Sequence, residues 1–143
     1  MVVVLVDHED RKDCPGDWAV ELEKAFKSLG YQDVSVAVKN RKFENWLIAD
    51  VNAFRKMKAR YKMTKAFENA VRPDKADLVE DAERLINQIV IKSEYHKRRD
   101  AAKIAQLQEL EEAGRHSRSF RRFLRLIGYP DYRDQSRKPK PKR

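Results

Sequence analysis

Four of the five residues from Val2 to Val6 are β-branched and all five are apolar, an unbroken run that stops at Asp7. Such a run reads as a parallel strand buried on both faces. Its end is acidic, because Asp7 is followed by Glu9 and Asp10. A buried strand that delivers carboxylates at its carboxyl end places them where α/β proteins hold reactive groups or divalent cations. The plainer alternative is a strand that runs into a polar loop, with Asp7 satisfied by backbone amides.

A polar loop, Arg11 to Gly16, leads into a helix for which Asp17 is the expected N-cap. Trp18, Leu22, Ala25, Phe26 and Leu29 recur at helical spacing, and Gly30 supplies the stop. Val34 to Val38 reads as a second strand, which completes a βαβ unit with parallel strands and a right-handed crossover. Parallel strands bring their carboxyl ends to one edge of the sheet. Asp7, Glu9 and Asp10 are therefore expected beside Lys39, Asn40, Arg41 and Glu44, in a small polar crevice.

The rest reads as mostly helical. A helix starts at Phe43, with Phe43, Trp46, Leu47 and Val51 inward and Glu44 in a first turn that suits the helix dipole. Trp46 reads as core rather than as a stacking platform. Asp50 to Phe54 continues as helix, or as a turn into one, and Arg55 to Tyr61 reads as basic and solvated. Thr64 to Arg72 is a short helix ended before Pro73. The next is capped by Asp74 or Asp77 and faces inward through Val79, Ala82, Leu85, Ile86 and Ile89; Ile89 to Ile91 is alternatively a short strand. Tyr95 to Asp100 reads as a basic break, in which His96 lacks a second histidine at ligand spacing. Ala101 to Glu112 forms a helix ended by Gly114. In the last helix, capped by Ser117 or Ser119, Phe120, Phe123, Leu124 and Ile127 form an apolar stripe. Arg118, Arg121, Arg122 and Arg125 cover its other surface, where guanidinium groups suit phosphates.

Charge sharpens the picture. The 143 residues carry a net charge of +9, with 41% hydrophobic residues, enough for one modest core. Of 32 basic and 23 acidic residues, eleven and two lie from Arg115 onward, so the first 114 positions balance at 21 each. The whole excess belongs to the C-terminal piece, the footprint of a polyanion partner, most often nucleic acid, or of a solubilising tail. A single cysteine, Cys14, excludes an internal disulfide and a cysteine-based zinc site. The longest apolar run falls far short of the roughly 20 residues of a membrane span, and a signal-peptide pattern is absent. A soluble, cytoplasmic protein without a membrane partner is expected. Residues 1–132 form one α/β domain, a small parallel sheet with a βαβ core followed by a mostly helical C-terminal half. Residues 133–143 form a basic tail expected to be disordered.

Three stretches carry a family resemblance: Val3-Leu5-Val6-Asp7-His8-Glu9-Asp10 with Cys14 following, Val38 to Asp50 with Phe43-Glu44-Asn45-Trp46 at its centre, and Ser117-Arg118-Ser119-Phe120-Arg121-Arg122-Phe123-Leu124. In this order and spacing the chain resembles the prokaryotic domain of unknown function family 4276, a TOPRIM-like group. The resemblance implies an acidic pair, here Asp7 and Glu9 with Asp10 a possible substitute, that binds Mg²⁺ or Mn²⁺ for phosphodiester chemistry. It also implies a glutamate on an earlier strand. That segment is expected upstream of Met1, or its place is filled by a partner chain, or this is a shortened and inactive relative. An AAA- or ABC-type ATPase partner, a homodimer and a role in phage defence follow from the same resemblance.

The leading expectation is a magnesium-dependent nuclease-like domain acting on DNA or RNA. Asp7, Glu9, Lys39 and Glu44 are its catalytic candidates, Asp7, Glu9 and Asp10 its metal ligands, and Arg118, Arg121, Arg122 and Arg125 its phosphate contacts. The competing expectation is a non-catalytic subunit of an ATPase-associated complex that binds nucleic acid or a partner. A phosphoacceptor or phosphatase-like pocket around Asp7 is a third, without further supporting motifs.

Overall fold

The computed structural model describes residues 1–132; the basic tail 133–143 lies outside them. Two strands, β1 (Val2–Asp7) and β2 (Val34–Lys39), pair in parallel, with Val2 opposite Val34 and Asp7 opposite Lys39. The helix between them, α1 (Pro15–Ser28), makes the expected βαβ unit. Among the described residues, eight helices in all and two 3₁₀ turns make up most of the rest. The chain is α/β, with a two-stranded parallel sheet and a largely helical C-terminal half.

β1 is not buried on both faces. Alternation along a strand sends Val4 and Val6 to one side, where they join Val36 and Val38 against Trp18, Leu22 and Phe26 of α1. Val2 and Leu5 remain 49% and 43% exposed, because the sheet has two strands and the helical half docks mainly on β2. The cap of α1 is Cys14, with Pro15 at its first position and Asp17 inside its first turn. Ala19 is its fully buried residue, whereas Ala25 and Leu29 of the expected stripe face out. Gly30 does stop the helix, at a φ of +99° that a side chain would strain.

The main core lies in the helical half. α2 (Phe43–Ile48) buries Trp46, Leu47 and Ile48, and α3 (Val51–Arg55) buries Phe54. Asp50 caps α3 through the Asn52 amide and also accepts from the Glu109 amide. Thr64 caps α4 (Lys65–Ala70), and its Phe67 packs edge-on against Phe54. The segment expected to be solvated, Arg55 to Tyr61, is exposed at Arg55, Lys56, Lys58 and Ala59 but not at its end: Tyr61 is buried edge-on against Phe54 and forms a single antiparallel bridge with Val90. That bridge is all the strand character of Ile89 to Ile91. Pro73 is followed by a 3₁₀ turn, Ala76–Leu78, and the next helix, α5 (Ala82–Asn87), starts later than expected with Asp81 as its cap.

The region read as a basic break is the start of α6 (Lys97–Leu107), and Tyr95 before it is buried. The helix expected to run to Glu112 breaks at Gln108 and Glu109, and Gln108 instead donates to the backbone oxygens of Trp46 and Leu47. Gly114 lies inside α7 (Leu110–His116) rather than ending a helix. Its role is close approach, since a Cβ there would lie 2.3 Å from the hydroxyl oxygen of the fully buried Tyr132. Gly114→Ala is expected to cost roughly 1–3 kcal/mol from overpacking, against a helix-propensity gain of about 1 kcal/mol. Urea denaturation measures this, and an unchanged or raised midpoint would show that Tyr132 is not seated there.

α8 (Arg118–Leu126) is capped by Ser117, which accepts from the Phe120 amide. Phe120 and Leu124 are buried and Phe123 stacks on Trp46, while Ile127, the last residue of the stripe, is 43% exposed. α8 is the main bridge between β2 and the helical half. Among the described residues no helix is long and apolar enough to cross a membrane.

Candidate functional site

The strand ends do meet at one edge. The His8 amide donates to the Lys39 carbonyl, and the Glu9 amide to that of Arg41. Glu9 and Arg41 both take positive φ, 52° and 67°, a region that non-glycine residues seldom occupy. Such strained turns persist where the surrounding structure holds them, commonly at functional sites. Here they join the loops after β1 and β2 and set Glu9 and Arg41 at the mouth of a cleft.

That cleft has two adjoining parts, which share Pro15, Asn40, Asp77 and Leu78. The smaller, about 320 Å³, is bordered by His8, Glu9, Asp10 and Arg41. The larger, about 750 Å³, is bordered by Cys14, Lys75, Arg118, Arg121 and Arg122. The smaller part sets the Glu9 and Asp10 carboxylates beside the Arg11 and Arg41 guanidinium groups, and the larger is basic in balance, with one lysine and three arginines against Asp74 and Asp77.

Asp7 belongs to neither part. Its carboxylate pairs with Lys39 Nζ at 2.9 Å, as expected for residues directly opposite in a parallel pair. The Lys39 ammonium also lies 5.3 Å from the centre of the Phe43 ring. Glu44, in the first turn of α2, is buried. It accepts from the Tyr95 hydroxyl at 3.4 Å and lies 3.8 Å from Lys97 Nζ. Lys97 also pairs with Glu83 at 3.0 Å. The hydrogen bond to Glu83 and the charge of Glu44 hold the Lys97 ammonium above its ordinary pKa, with Asp7 adding to the effect. Burial, and then the charge of Glu44, push the Tyr95 phenol well above its usual range. Asp7 and Glu44 therefore belong to one electrostatic neighbourhood, each facing a lysine, while Glu9 and Asp10 face the cleft.

Tyr95 and Lys97 were not legible as site residues, because the contact spans more than fifty positions and the local pattern shows only a basic run. His8 is buried, with Nε2 3.3 Å from the Asp13 carboxylate and its ring against Trp18. Arg11 binds the same carboxylate and lies over Trp18, 4.2 Å from its ring centre. His96 is exposed at the start of α6, apart from any histidine pair.

The four arginines of α8 separate into two roles. At about 100° per residue, Arg118, Arg122 and Arg125 fall on one face, opposite Phe120, Phe123 and Leu124. Arg121 falls beside the apolar stripe. It is buried, donating to the Gly114 carbonyl and pairing with Asp74 at 2.7 Å, so it secures the fold rather than presenting a free cation. Arg118, Arg122 and Arg125 have no carboxylate within ion-pair distance among the described residues. The buried Nε atoms of Arg122 and Arg125 also lack a hydrogen-bond acceptor.

Asp77 organises this end of the cleft. It accepts from the Ser117 hydroxyl at 2.7 Å and from the Ser119 amide and hydroxyl, each at 2.8 Å. The Trp46 indole N–H donates to the same Ser119 hydroxyl at 2.7 Å. The Ser-Arg-Ser-Phe motif is thereby explained: both serines bind one buried carboxylate that sits against the start of α8. From the sequence Asp77 was a possible cap for the helix after Pro73, and it serves α8 instead, some forty residues away.

Residues 1–127 match the family described as Domain of unknown function (DUF4276). The chain belongs to that family. No curated protein and no solved structure matches it. Within this DUF4276 chain the three motifs form one connected body: the acidic loop borders the cleft, Trp46 of the second motif packs on the third, and Asp77 ties the third in place.

The oxygen donors of the β1 end suit a hard cation in type, and Mg²⁺ commonly takes only one or two protein carboxylates, completing its shell with water and phosphate. Among the described residues, however, no group of three or more His, Cys, Asp or Glu side chains is placed to hold a metal ion.

Proposed function

We propose that this DUF4276 chain is a nuclease-like domain that grips the phosphodiester backbone of DNA or RNA. The observation that carries the reading is the basic half of the cleft, where Arg118 and Arg122, beside Lys75, have no carboxylate partner among the described residues. Guanidinium groups without acidic partners, one with a buried N–H lacking an acceptor, suit phosphate oxygens, which accept from them in charge-assisted hydrogen bonds. The two carboxylates of the smaller part support the catalytic half of the proposal. Glu9 and Asp10, which border the cleft, would hold Mg²⁺ or Mn²⁺ together with water and phosphate, and the ion when bound would polarise a phosphoryl oxygen and lower the pKa of water. Asp7, outside the cleft and paired with Lys39, would act through that lysine. Lys39, held in place by Asp7 and Phe43, would stabilise developing negative charge, and Glu44 would be oriented by Tyr95 and Lys97. An AAA- or ABC-type ATPase partner and phage defence extend this reading on the resemblance alone.

A second reading, a non-catalytic nucleic-acid-binding subunit, is favoured by a specific observation. Asp7 and Glu44 are each compensated by a lysine. The full chain incubated with supercoiled DNA or tRNA and Mg²⁺ or Mn²⁺, beside Asp7→Ala, separates the two. Metal-dependent cleavage reduced about a hundredfold by Asp7→Ala is expected, because the variant releases Lys39, and one group that stabilises developing negative charge contributes about 10²–10³ in rate. Salt-sensitive binding without cleavage establishes the second reading, and cleavage equal in wild type and variant removes Asp7 from the chemistry.

A further inference from the structure

The shape of the cleft says more about the ligand than its charge does. We propose that the basic cleft takes a single strand of nucleic acid, bound by its backbone and without base selectivity, rather than a duplex. The inference rests on the nucleic-acid reading above and names the substrate class for it.

Three observations carry it. First, the arginine face of α8 is part of a cleft wall. A helix that reads duplex DNA inserts a free face into a major groove about 12 Å wide. Here the apolar face of α8 is docked on Trp46, and its Arg118 and Arg122 face borders a concave space. Opposite stand the start of α1 at Pro15 and the 3₁₀ turn at Asp77 and Leu78. Arg122 reaches across toward α1, its Nη1 3.4 Å from where a Cβ of Gly16 would lie. A space of about 750 Å³ walled in this way is on the scale that encloses a small ligand. A cleft of that size suits one sugar–phosphate strand rather than a double helix.

Second, the cations form a track. Arg118 and Arg122 border the cleft and Arg125 continues their face of α8 beyond it, at i, i+4 and i+7, which spans about 10 Å of helix at about 1.5 Å per residue. None is held by a carboxylate among the described residues, so each can take a successive phosphate of one strand. The amides at the start of α8 are not available for this, since Asp77 already occupies the Ser119 amide.

Third, among the described residues the larger part of the cleft has no aromatic lining residue. Single-strand binders that favour particular bases or stack them tightly use aromatic platforms. Without one, the grip falls on phosphates and is indifferent to sequence.

Fluorescence anisotropy of the full chain with a labelled 20-nucleotide single-stranded DNA, the matching RNA and the matching 20-base-pair duplex tests this. At about 0.1 M salt the single strands are expected to bind at least tenfold more tightly than the duplex. With about 0.7 in log–log salt slope per phosphate contact, the double variant Arg118→Ala/Arg122→Ala should lower the single-strand slope by about 1.4. Its urea midpoint reports that the fold is kept. Equal or tighter duplex binding, still weakened by the double variant, overturns the single-strand assignment and leaves the nucleic-acid reading standing. A single-strand slope unchanged in the folded double variant overturns the track. Failure of all three nucleic acids to bind overturns both proposals together.

Discussion

Asp77→Ala is expected to lower the unfolding free energy by roughly 3 kcal/mol, from the loss of hydrogen bonds to a buried carboxylate. Asp77 is 5% exposed and gathers both serines of the Ser-Arg-Ser-Phe motif. Its removal leaves the Ser119 amide and two hydroxyls in a buried place without their acceptor. It also removes a negative charge from the start of α8, where the helix dipole favours one. The consequence reaches the cleft, because α8 carries Arg118, Arg122 and Arg125 and its register against Trp46 depends on Ser119. Urea denaturation together with the near-ultraviolet circular dichroism of Trp46 measures both effects. A loss smaller than about 1 kcal/mol, the size of one ordinary hydrogen bond, would mean that water replaces the carboxylate and that Asp77 does not anchor α8. Asp77→Asn should fall between, since its amide keeps one acceptor oxygen.

What could be read from the sequence was local, and what could not be read was a meeting of distant residues. The βαβ unit was legible because each signal lay within its own element: a β-branched run, a helical repeat, a glycine stop. The α8 stripe and its serine cap were legible for the same reason. The burial of β1 on both faces was overestimated, since apolar character reports what a strand tolerates and not how many neighbours it has. Gly114 was misread as a terminator because a glycine needed for close approach and one needed for a turn look alike until Tyr132 is placed. Asp77, Tyr95 and Tyr61 read in other roles, a cap and two polar segments, because their true partners lie about thirty to fifty positions away. The arginines show the same limit in miniature. Four basic residues in one helix read as one surface, yet a rotation of 60° sends Arg121 into the fold and leaves the other three facing away from the core.

Asp100 offers the strongest test of charge within the core. It is 2% exposed, at the start of α6. Burial alone would raise its pKa, but the guanidinium groups of Arg99 and Arg60 and the His96 amide together hold it below the ordinary 3.8. Arg60 Nη2 lies 2.7 Å from one carboxylate oxygen and Arg99 Nε 3.0 Å from the other. Removing one partner of a buried pair costs about 3–5 kcal/mol, because the remaining charge is left uncompensated. Asp100→Ala is therefore expected near that range at pH 7, tempered by the exposure of Arg99. The pH dependence follows from the sign of the shift. A carboxyl with a lowered folded pKa binds fewer protons in the native state, so its contribution is complete above its unfolded pKa near 4 and is lost as the pH falls further. The gap between wild type and Asp100→Asn, measured by urea denaturation, should accordingly be wide at pH 7 and narrow progressively below pH 4. Equal gaps at pH 7 and pH 3 would show that the carboxylate acts there through its shape and not through its charge, and that the Arg60 and Arg99 pairs contribute no net stability.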